Sequence, residues 1–169
     1  MPALKTAPKP RAKPARKLDI KCRTLQEIGA TIVAGGRGRA VLQDFARLVK
    51  ERGKYRWVGI YRISRHEFVL DASTSETPPA YTQFPVSQGL SAVAIETRRT
   101  VMVRDVSKDK RFLPNFWTTR SEVIVPVIDD EHEKVVGVIN VESGKVDAFD
   151  KSDRDFLEGV ARLVWRAFR

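Results

Sequence analysis

Two runs rich in valine and isoleucine, separated by a short acidic patch, constrain this chain more than any other feature. The runs lie within residues 120–143, and the patch covers residues 129–133. β-branched residues at this density, bounded by turn-forming residues, are typical of an antiparallel hairpin at the centre of a sheet. Apolar side chains occupy both alternating sets of positions along each run. We therefore expect both faces of this sheet to be covered.

Three polar residues interrupt the runs at the end away from the turn: Glu122 on the first run, and Asn140 and Glu142 on the second. If Ile128 pairs with Lys134, Glu122 lies opposite Asn140 and on the same face, because side chains alternate along each strand. A buried sheet that gathers carboxylate and amide groups at one end offers polar partners to another molecule. We therefore hypothesise a polar site at this end of the hairpin.

Glu122 has a structural and a functional interpretation. A carboxylate on a central strand is seldom buried without a partner. The structural partner would be an arginine such as Arg120 or a backbone amide. The functional partner would be an amine, amide or guanidine group of a ligand. Asn140 and Glu142 likewise fit either the polar end of a strand or a ligand site.

The hydrophobic pattern between the N-terminal segment and the hairpin predicts three helices and three strands. Helical spacing of apolar residues predicts helices over 18–33, 41–52 and 89–96, and alternating patterns predict strands over 57–63, 67–72 and 100–105. The glycine-rich segment 35–38 lies between two helices and lacks the Lys-Ser/Thr pair of phosphate-binding loops. It therefore predicts a helix end followed by a helix start.

Two irregular segments are predicted beside the sheet. Residues 73–83 contain two adjacent prolines and mostly polar side chains, which indicates a mobile loop. Residues 107–119 are also irregular, yet they contain Phe112, Phe116 and Trp117. A polar loop with that much aromatic surface is expected to pack over the sheet or over a bound molecule.

The last helix is predicted to start at Asp150, an N-cap residue followed by acidic side chains that suit a helix N-terminus. Its apolar face covers about half of the helix circumference, and Trp165 widens it further. This face is too wide for a helix that lies on a sheet alone. It implies a partner helix, either from the N-terminal helices or from a second chain.

The net charge of +10 is concentrated at the N-terminus. Residues 1–17 contain six lysine and arginine residues and no acid, which leaves 25 basic and 21 acidic residues in the remainder. A uniformly basic, nucleic-acid-binding body is therefore not indicated. With four prolines and few apolar residues, segment 1–17 is predicted to be disordered. It is either a solvated tail or a weak tether to nucleic acid or anionic surfaces.

The cysteine and histidine counts limit the available chemistry. Cys22 is the only cysteine, so neither an internal disulfide nor a zinc cluster is expected. The chain has two histidines, and we predict no metal site and identify no cofactor. It shows no secretory signal and no apolar run of membrane-spanning length, so the predicted location is the cytoplasm.

Residues 18–169 resemble a GAF domain. Three features resemble the family pattern. They are the first strand, W-V-G-I-Y from Trp57; the hairpin strands, S-E-V-I-V-P-V from Ser121 and V-G-V-I-N-V-E-S from Val136; and the start of the last helix, F-D-K-S-D from Phe149. The resemblance implies an α+β fold with an antiparallel sheet of about six strands, helices on one face and a ligand pocket on the other.

Within the family the motifs are similar to those of the free methionine-R-sulfoxide reductases. The resemblance implies that Trp57 and Tyr61 form aromatic pocket walls and that Glu122 faces the ligand. Two aspartates of the reductase pattern are replaced by Asn140 and Glu142. The reductase pattern has two cysteine positions. One of them holds Ser91 in this chain, and the other falls near Asn115. Thiol-based reduction needs an attacking thiolate and a resolving thiol, so we predict no such activity.

Three functional hypotheses follow. The first is a regulatory sensor that binds a small polar metabolite, without catalysis, and dimerises through its terminal helices. The second is a divergent reductase or another small-molecule enzyme. The third is a protein-interaction module whose pocket is filled by Trp57, Phe116 and Trp117. The candidate ligand-binding residues are Trp57, Tyr61, Ser91, Asn115, Phe116, Trp117, Glu122, Asn140 and Glu142.

Overall fold

A computed structural model describes residues 14–169 of the chain, with side chains from Lys17 onward. Its helices are α1 (Pro14–Val33), α2 (Gly38–Gly53), α3 (Gly89–Thr97) and α4 (Lys151–Val164), and a 3₁₀ helix (Trp165–Phe168) follows α4. Helix α1 therefore begins within the segment predicted as a disordered tail, and proline is well suited to a first helical turn. The rest of that predicted tail, residues 1–13, lies outside the described residues.

Six strands form one antiparallel sheet, as predicted. They are β1 (Trp57–Ser64), β2 (Glu67–Ser73), β3 (Gln83–Pro85), β4 (Val101–Val103), β5 (Ser121–Asp129) and β6 (Lys134–Ser143). Their order across the sheet is β3-β2-β1-β6-β5-β4, which places the valine-rich hairpin and β1 at the centre. Strand β3 begins at the end of the segment predicted as a loop. Three residues are too few to give a recognisable alternating pattern.

The sheet is covered on both faces. On one face, α1, α2 and α4 enclose a core that includes Val58, Ile60, Val123, Val125, Ile139 and Val141. On the other face, α3 and the loops around it cover Tyr61, Phe68 and Ile124. The predicted segregation of helices to one face therefore holds for three of the four helices, and α3 lies on the opposite side.

The register of the hairpin differs from the predicted one. Ile128 pairs with Val135 instead of Lys134. An irregularity between Val127 and Ile128 shifts the register by one more residue, so Val127 pairs with Gly137. Glu122 consequently lies opposite Glu142. An extra residue in one strand of a pair produces such a shift, and the alternation of apolar residues does not reveal it.

Helix α4 starts as predicted, and α1 covers its wide apolar face. The Asp150 carboxylate accepts from the backbone amide of Asp153, whose own carboxylate accepts from the Asp150 amide, forming a capping box. Lys21 of α1 donates to Asp153 Oδ1 over 2.7 Å, and the Tyr55 hydroxyl donates to the same oxygen over 3.0 Å. The partner helix implied by the sequence thus comes from the same chain. Within residues 14–169 no helix is long and apolar enough to cross a membrane.

Candidate functional site

The predicted polar residues lie in two adjacent rows across the three central strands. Trp57 pairs with Glu142, which pairs with Glu122 on the next strand. In the second row, Gly59 pairs with Asn140. All of these residues project from the face opposite α1, α2 and α4, because residues two apart along a strand share a face. The backbone therefore assembles the predicted polar site despite the shifted register.

Glu122 and Glu142 are buried without a cationic partner. Their exposed fractions are 3% and 1%. Glu122 Oε1 accepts from Asn140 Nδ2 over 2.8 Å, so the partner is neither Arg120 nor a backbone amide. Glu142 Oε1 accepts from Asn115 Nδ2 over 2.9 Å, and its other oxygen accepts from the Thr119 hydroxyl. Among residues 17–169, neither carboxylate forms an ion pair with a basic side chain.

This environment favours the protonated forms of both acids. Burial and the adjacent charge of Glu142 raise the pKa of Glu122 well above its usual value, despite the hydrogen bond from Asn140. Burial also raises the pKa of Glu142, and the hydrogen bonds from Thr119 and Asn115, together with the positive charge of Arg56, oppose that shift. If both groups were ionised, a bound cation would offset the repulsion between them and part of the cost of their desolvation.

Asn115 connects the two loops that cover this face of the sheet. Its side chain donates to Glu142, its Oδ1 accepts from the Tyr81 backbone amide over 3.3 Å, and its backbone carbonyl accepts from the Ala80 amide over 3.2 Å. The segment before β5 is therefore fastened both to the sheet and to the segment before β3. The aromatic loop predicted to pack over the sheet does so through this residue.

Two aromatic residues of β1 pack within the same layer. The indole ring of Trp57 lies over Gly59, since a Cβ atom at Gly59 would approach a Trp57 ring carbon to 2.3 Å. The Phe116 ring packs edge-on against Trp57 with centroids 5.4 Å apart. The space above the glycine, which would suit an approaching ligand, is thus filled by Trp57. Tyr61 is fully buried, and its hydroxyl donates to the Tyr81 carbonyl over 2.9 Å.

A small cavity remains beside the carboxylate pair. Its volume is about 10 Å³, close to what a single water molecule needs. Ser91, Asn115, Glu122 and Asn140 line it, together with residues that the sequence did not single out, namely Tyr81, Phe84, Gly89, Leu90, Leu113 and Ile124. The site is therefore closed in this conformation.

The first turn of α3 reaches this cavity. Gly89, Leu90 and Ser91 begin the helix and line the cavity wall, and the N-cap residue Gln88 makes no side-chain capping hydrogen bond. Backbone amides at a helix N-terminus favour anionic groups. Asn140 Oδ1 is buried without a hydrogen-bond partner among the described residues, so the cavity also contains an unsatisfied acceptor. Donor and acceptor groups thus face the same small space.

The structure brings together most of the predicted site residues, but not all of them. Trp117 is 89% exposed and does not line the cavity. Phe116 is half-buried and packs on Trp57 outside the cavity. Thr119, which the sequence did not single out, bonds Glu142 directly. A threonine just before a strand carries no pattern that would identify this role.

The thiol positions of the reductase pattern contain no sulfur. Ser91 is buried at the start of α3, and Asn115 bonds Glu142. Cys22 lies exposed on α1, on the helix-covered side of the sheet. The sheet therefore separates the only thiol of the chain from the carboxylate pair.

Comparison with known proteins agrees with this architecture. The sequence profile of the GAF domain matches residues 37–169. The chain is similar to GAF domain-containing protein A of Dictyostelium discoideum, with 27% identity over 126 residues that cover 74% of this chain and 77% of that protein.

Reductases of free methionine sulfoxide are also among the similar proteins. The free methionine-R-sulfoxide reductase of Saccharomyces cerevisiae is 30% identical over 111 residues, which cover 64% of this chain and 60% of the yeast protein. The solved structure of the free methionine-R-sulfoxide reductase of Neisseria meningitidis in complex with its substrate superposes with a TM-score of 0.80 at 25% identity. That match covers 99% of this chain and 96% of the reductase.

Proposed function

This chain belongs to the GAF domain family, and we propose that it is a regulatory domain that binds a small polar metabolite without thiol-based catalysis. The observation that carries the proposal is the buried pair of Glu122 and Glu142, whose carboxyl groups accept hydrogen bonds only from neutral side chains among the described residues. A purely structural core would gain little from two adjacent buried acids, because their desolvation is unfavourable. A ligand with a positive charge or several N–H donors would offset that cost.

The surrounding groups indicate what such a ligand carries. Glu122 and the unsatisfied Oδ1 of Asn140 accept hydrogen bonds, which suits an amine, amide or guanidine group. The first turn of α3, near Ser91, suits an anionic group in the same molecule. Together these features favour a small zwitterion over a neutral or purely anionic compound.

Binding requires the covering loops to move. The cavity of about 10 Å³ is too small for a metabolite. The contacts of Asn115 with Glu142 and Tyr81 hold the loops in place. A ligand that donates to Glu142 would replace Asn115 and release this connection. The same motion could transmit the binding event to a partner protein.

A divergent reductase is the alternative from the enzyme class. Similarity to reductases of free methionine sulfoxide supports a related ligand pocket. The chemistry is not supported, because Ser91 and Asn115 occupy the thiol positions and an alcohol or amide cannot form the reducible sulfur bond. We therefore propose that binding is retained and that thiol-based turnover is absent.

An interaction module with a filled pocket is the second candidate, and the closed cavity favours it. Trp57 covers Gly59, and Phe116 packs against Trp57, so aromatic side chains already occupy part of the face. Trp117, which was expected to help fill the pocket, is exposed and cannot do so. The two candidates differ in whether Glu122 contributes to binding a small molecule.

Oligomeric state and cellular context are separate parts of the proposal. Helix α1 covers α4 within one chain, so the sequence argument for a homodimer through the terminal helices no longer requires a second copy. We retain the homodimer as a proposal because many regulatory domains associate. The cytoplasmic location and the weak contact of residues 1–17 with nucleic acid or anionic surfaces are proposals of the same kind.

A paired binding and turnover experiment tests the proposal. Thermal shifts would be recorded with a panel of amino acids and guanidino compounds that includes free methionine and methionine-R-sulfoxide, for the wild type and for Glu122→Gln. Turnover of methionine-R-sulfoxide would be followed with thioredoxin as the reductant. We expect stabilisation of the wild type by at least one zwitterion, no stabilisation of the variant, and no turnover. Turnover by the wild type would establish the reductase instead.

A further inference from the structure

A second concave site lies on another part of the molecule. A groove of about 510 Å³ is enclosed by the residues that follow α3, by the outer edge of β5 and by α4. It shares no lining residue with the carboxylate cavity. Its volume falls in the range of small-molecule sites, about 300–1,000 Å³. The groove is thus large enough for a ligand in the conformation described, whereas the carboxylate cavity is not.

The walls of the groove carry a local excess of positive charge. Four arginines line it, Arg98, Arg99, Arg154 and Arg162, against two acids, Asp130 and Glu158. Arg99 and Arg162 are exposed and form no ion pair with any carboxylate in the described part of the chain. The other two arginines are partly engaged, since Arg98 donates to the Glu133 carbonyl over 2.8 Å and Arg154 Nε lies 3.9 Å from an Asp155 oxygen. Glu158 accepts from the neutral Thr100 hydroxyl over 2.6 Å and keeps its charge, so the excess of positive charge rests on Arg99 and Arg162.

The arginines approach from two different elements. Arg98 and Arg99 follow α3, whereas Arg154 and Arg162 lie eight residues apart on α4. Residues eight apart lie on the same face of a helix, about two turns from each other. A guanidinium group presents its N–H donors in a planar fork that matches a phosphate group. A phosphate in the groove could therefore be held from both walls.

The floor of the groove is apolar. Val125, Pro126, Ile128 and Ala161 form it. Strand β4 has three residues and pairs with β5 only up to Ile124, so this stretch of β5 lies at the edge of the sheet. Pro126 has no N–H group to offer an added strand, which disfavours an extended peptide as the occupant. An apolar group of a small ligand fits this floor better.

We propose that this groove binds a small organic phosphate, whose phosphate group contacts the arginines and whose apolar group lies on the floor. The carboxylate pair beneath the loops would take an amine-bearing ligand, so the two sites select opposite charges. The proposal stands independently of the function assigned to that pair.

Binding of 1-naphthyl phosphate, inorganic phosphate and 1-naphthol to the full chain tests the proposal. Amide resonances recorded by NMR would locate each compound. We expect 1-naphthyl phosphate to shift the amide resonances of residues 98–100 and 154–162. It should bind at least about tenfold more tightly than inorganic phosphate or 1-naphthol, because it alone carries both a phosphate for the arginines and an apolar ring for the floor. Shifts confined to residues 1–17, or no binding at millimolar concentration, would overturn the proposal.

Matched double variants identify the residues responsible. Arg99→Ala with Arg162→Ala should weaken binding of 1-naphthyl phosphate by about tenfold or more, since two charge-assisted contacts are lost. Arg37→Ala with Arg47→Ala removes the same charge from exposed positions on the α2 side and should leave affinity within about twofold. Equal effects of the two variants would contradict a specific groove. A change in oligomeric state with only the first variant would assign the groove to a second copy instead.

Discussion

Glu122 and Glu142 lie directly opposite each other on adjacent strands, and both carboxyl groups are almost fully buried. Their roles differ, because Glu142 is held by Asn115 and Thr119, whereas the Asn140 amide donates to Glu122. Glu142 therefore fastens the covering loop, and Glu122 faces the cavity. The first predictions depend on this difference.

Glu122→Gln is expected to separate stability from binding. It removes a buried acid whose ionisation is unfavourable and keeps an oxygen that accepts from Asn140, so the free energy of unfolding at pH 7 should stay unchanged or rise by about 1–2 kcal/mol. Binding of a cationic or zwitterionic ligand should be lost. Urea denaturation and calorimetric titration measure the two effects. A destabilised variant that still binds would contradict the role given to Glu122.

Glu142→Leu should act in the opposite direction on stability. It leaves the buried donors of Asn115 and Thr119 without an acceptor, which should lower the free energy of unfolding by about 1–3 kcal/mol. Urea denaturation at pH 7, beside Glu122→Gln, gives the comparison. Equal effects from both substitutions would mean that the two carboxylates are equivalent.

The carboxylate pair predicts an unusual pH dependence of stability. The folded-state pKa values of Glu122 and Glu142 are raised, so the folded protein binds protons more tightly than the unfolded chain. Their contribution is complete below about pH 4.5 and is lost as the pH rises through the raised values. We expect the free energy of unfolding to fall from pH 5 toward neutrality, and less steeply in Glu122→Gln. Identical slopes in the two proteins would count against this cause.

Other acids determine how stability changes at low pH. Burial raises the pKa of Asp129, but hydrogen bonds from His132, from backbone amides and from Arg169 outweigh it and hold the pKa at about 2. The pKa of Asp153 is also lowered, since the hydrogen bond from Lys21 opposes the effect of burial. Their contributions are lost as the pH falls through these lowered values. Denaturation curves should therefore show maximal stability near pH 4–5.

Asn115→Ala should loosen the covering loops. It removes the donor to Glu142 and the acceptor for the Tyr81 amide, at a cost of about 1–3 kcal/mol. Hydrogen exchange at Tyr81 should accelerate, while exchange in the α2 core stays unchanged. Trp117→Ala is the control in the same loop, and it should alter stability by less than about 0.5 kcal/mol because Trp117 is exposed. Unchanged exchange in Asn115→Ala would exclude the connecting role.

Lys21→Met should destabilise the contact between α1 and α4. Lys21 is buried and donates to Asp153 and to Ser152, so its loss leaves a buried carboxylate with fewer partners and should lower the free energy of unfolding by about 3 kcal/mol. Lys17 contacts the same carboxylate but is 41% exposed, so Lys17→Met should lower stability by less than about 1 kcal/mol. Chemical denaturation of both variants measures the contrast, and similar losses would contradict it.

The sequence patterns predicted the fold better than they predicted the site. The density of valine and isoleucine placed the central hairpin, and helical periodicity placed all four helices to within a few residues. Strand β3 was missed, because three residues give no pattern. The hairpin register was wrong by up to two residues, because the irregularity beside Val127 leaves no mark in the alternation of side chains.

The site could be predicted only where residue type restricts the environment. Buried acids such as Glu122 and Glu142 are conspicuous on a valine-rich strand. Loop side chains follow no regular spacing in the sequence, so their directions cannot be predicted from it. Trp117 was therefore placed in the site with Phe116, although it is exposed, and Thr119 was overlooked. A glycine such as Gly59 leaves room above a strand. The ring of Trp57 fills that room here, which only the three-dimensional packing reveals.

Native mass spectrometry of the wild type and of Glu122→Gln, each purified gently from cells, tests the central claim most directly. It reports bound mass and oligomeric state in the same spectrum. We predict a reproducible additional mass of a small metabolite on the wild type and bare protein for the variant. The same additional mass on both proteins, or bare protein in both, would contradict a ligand site built on Glu122.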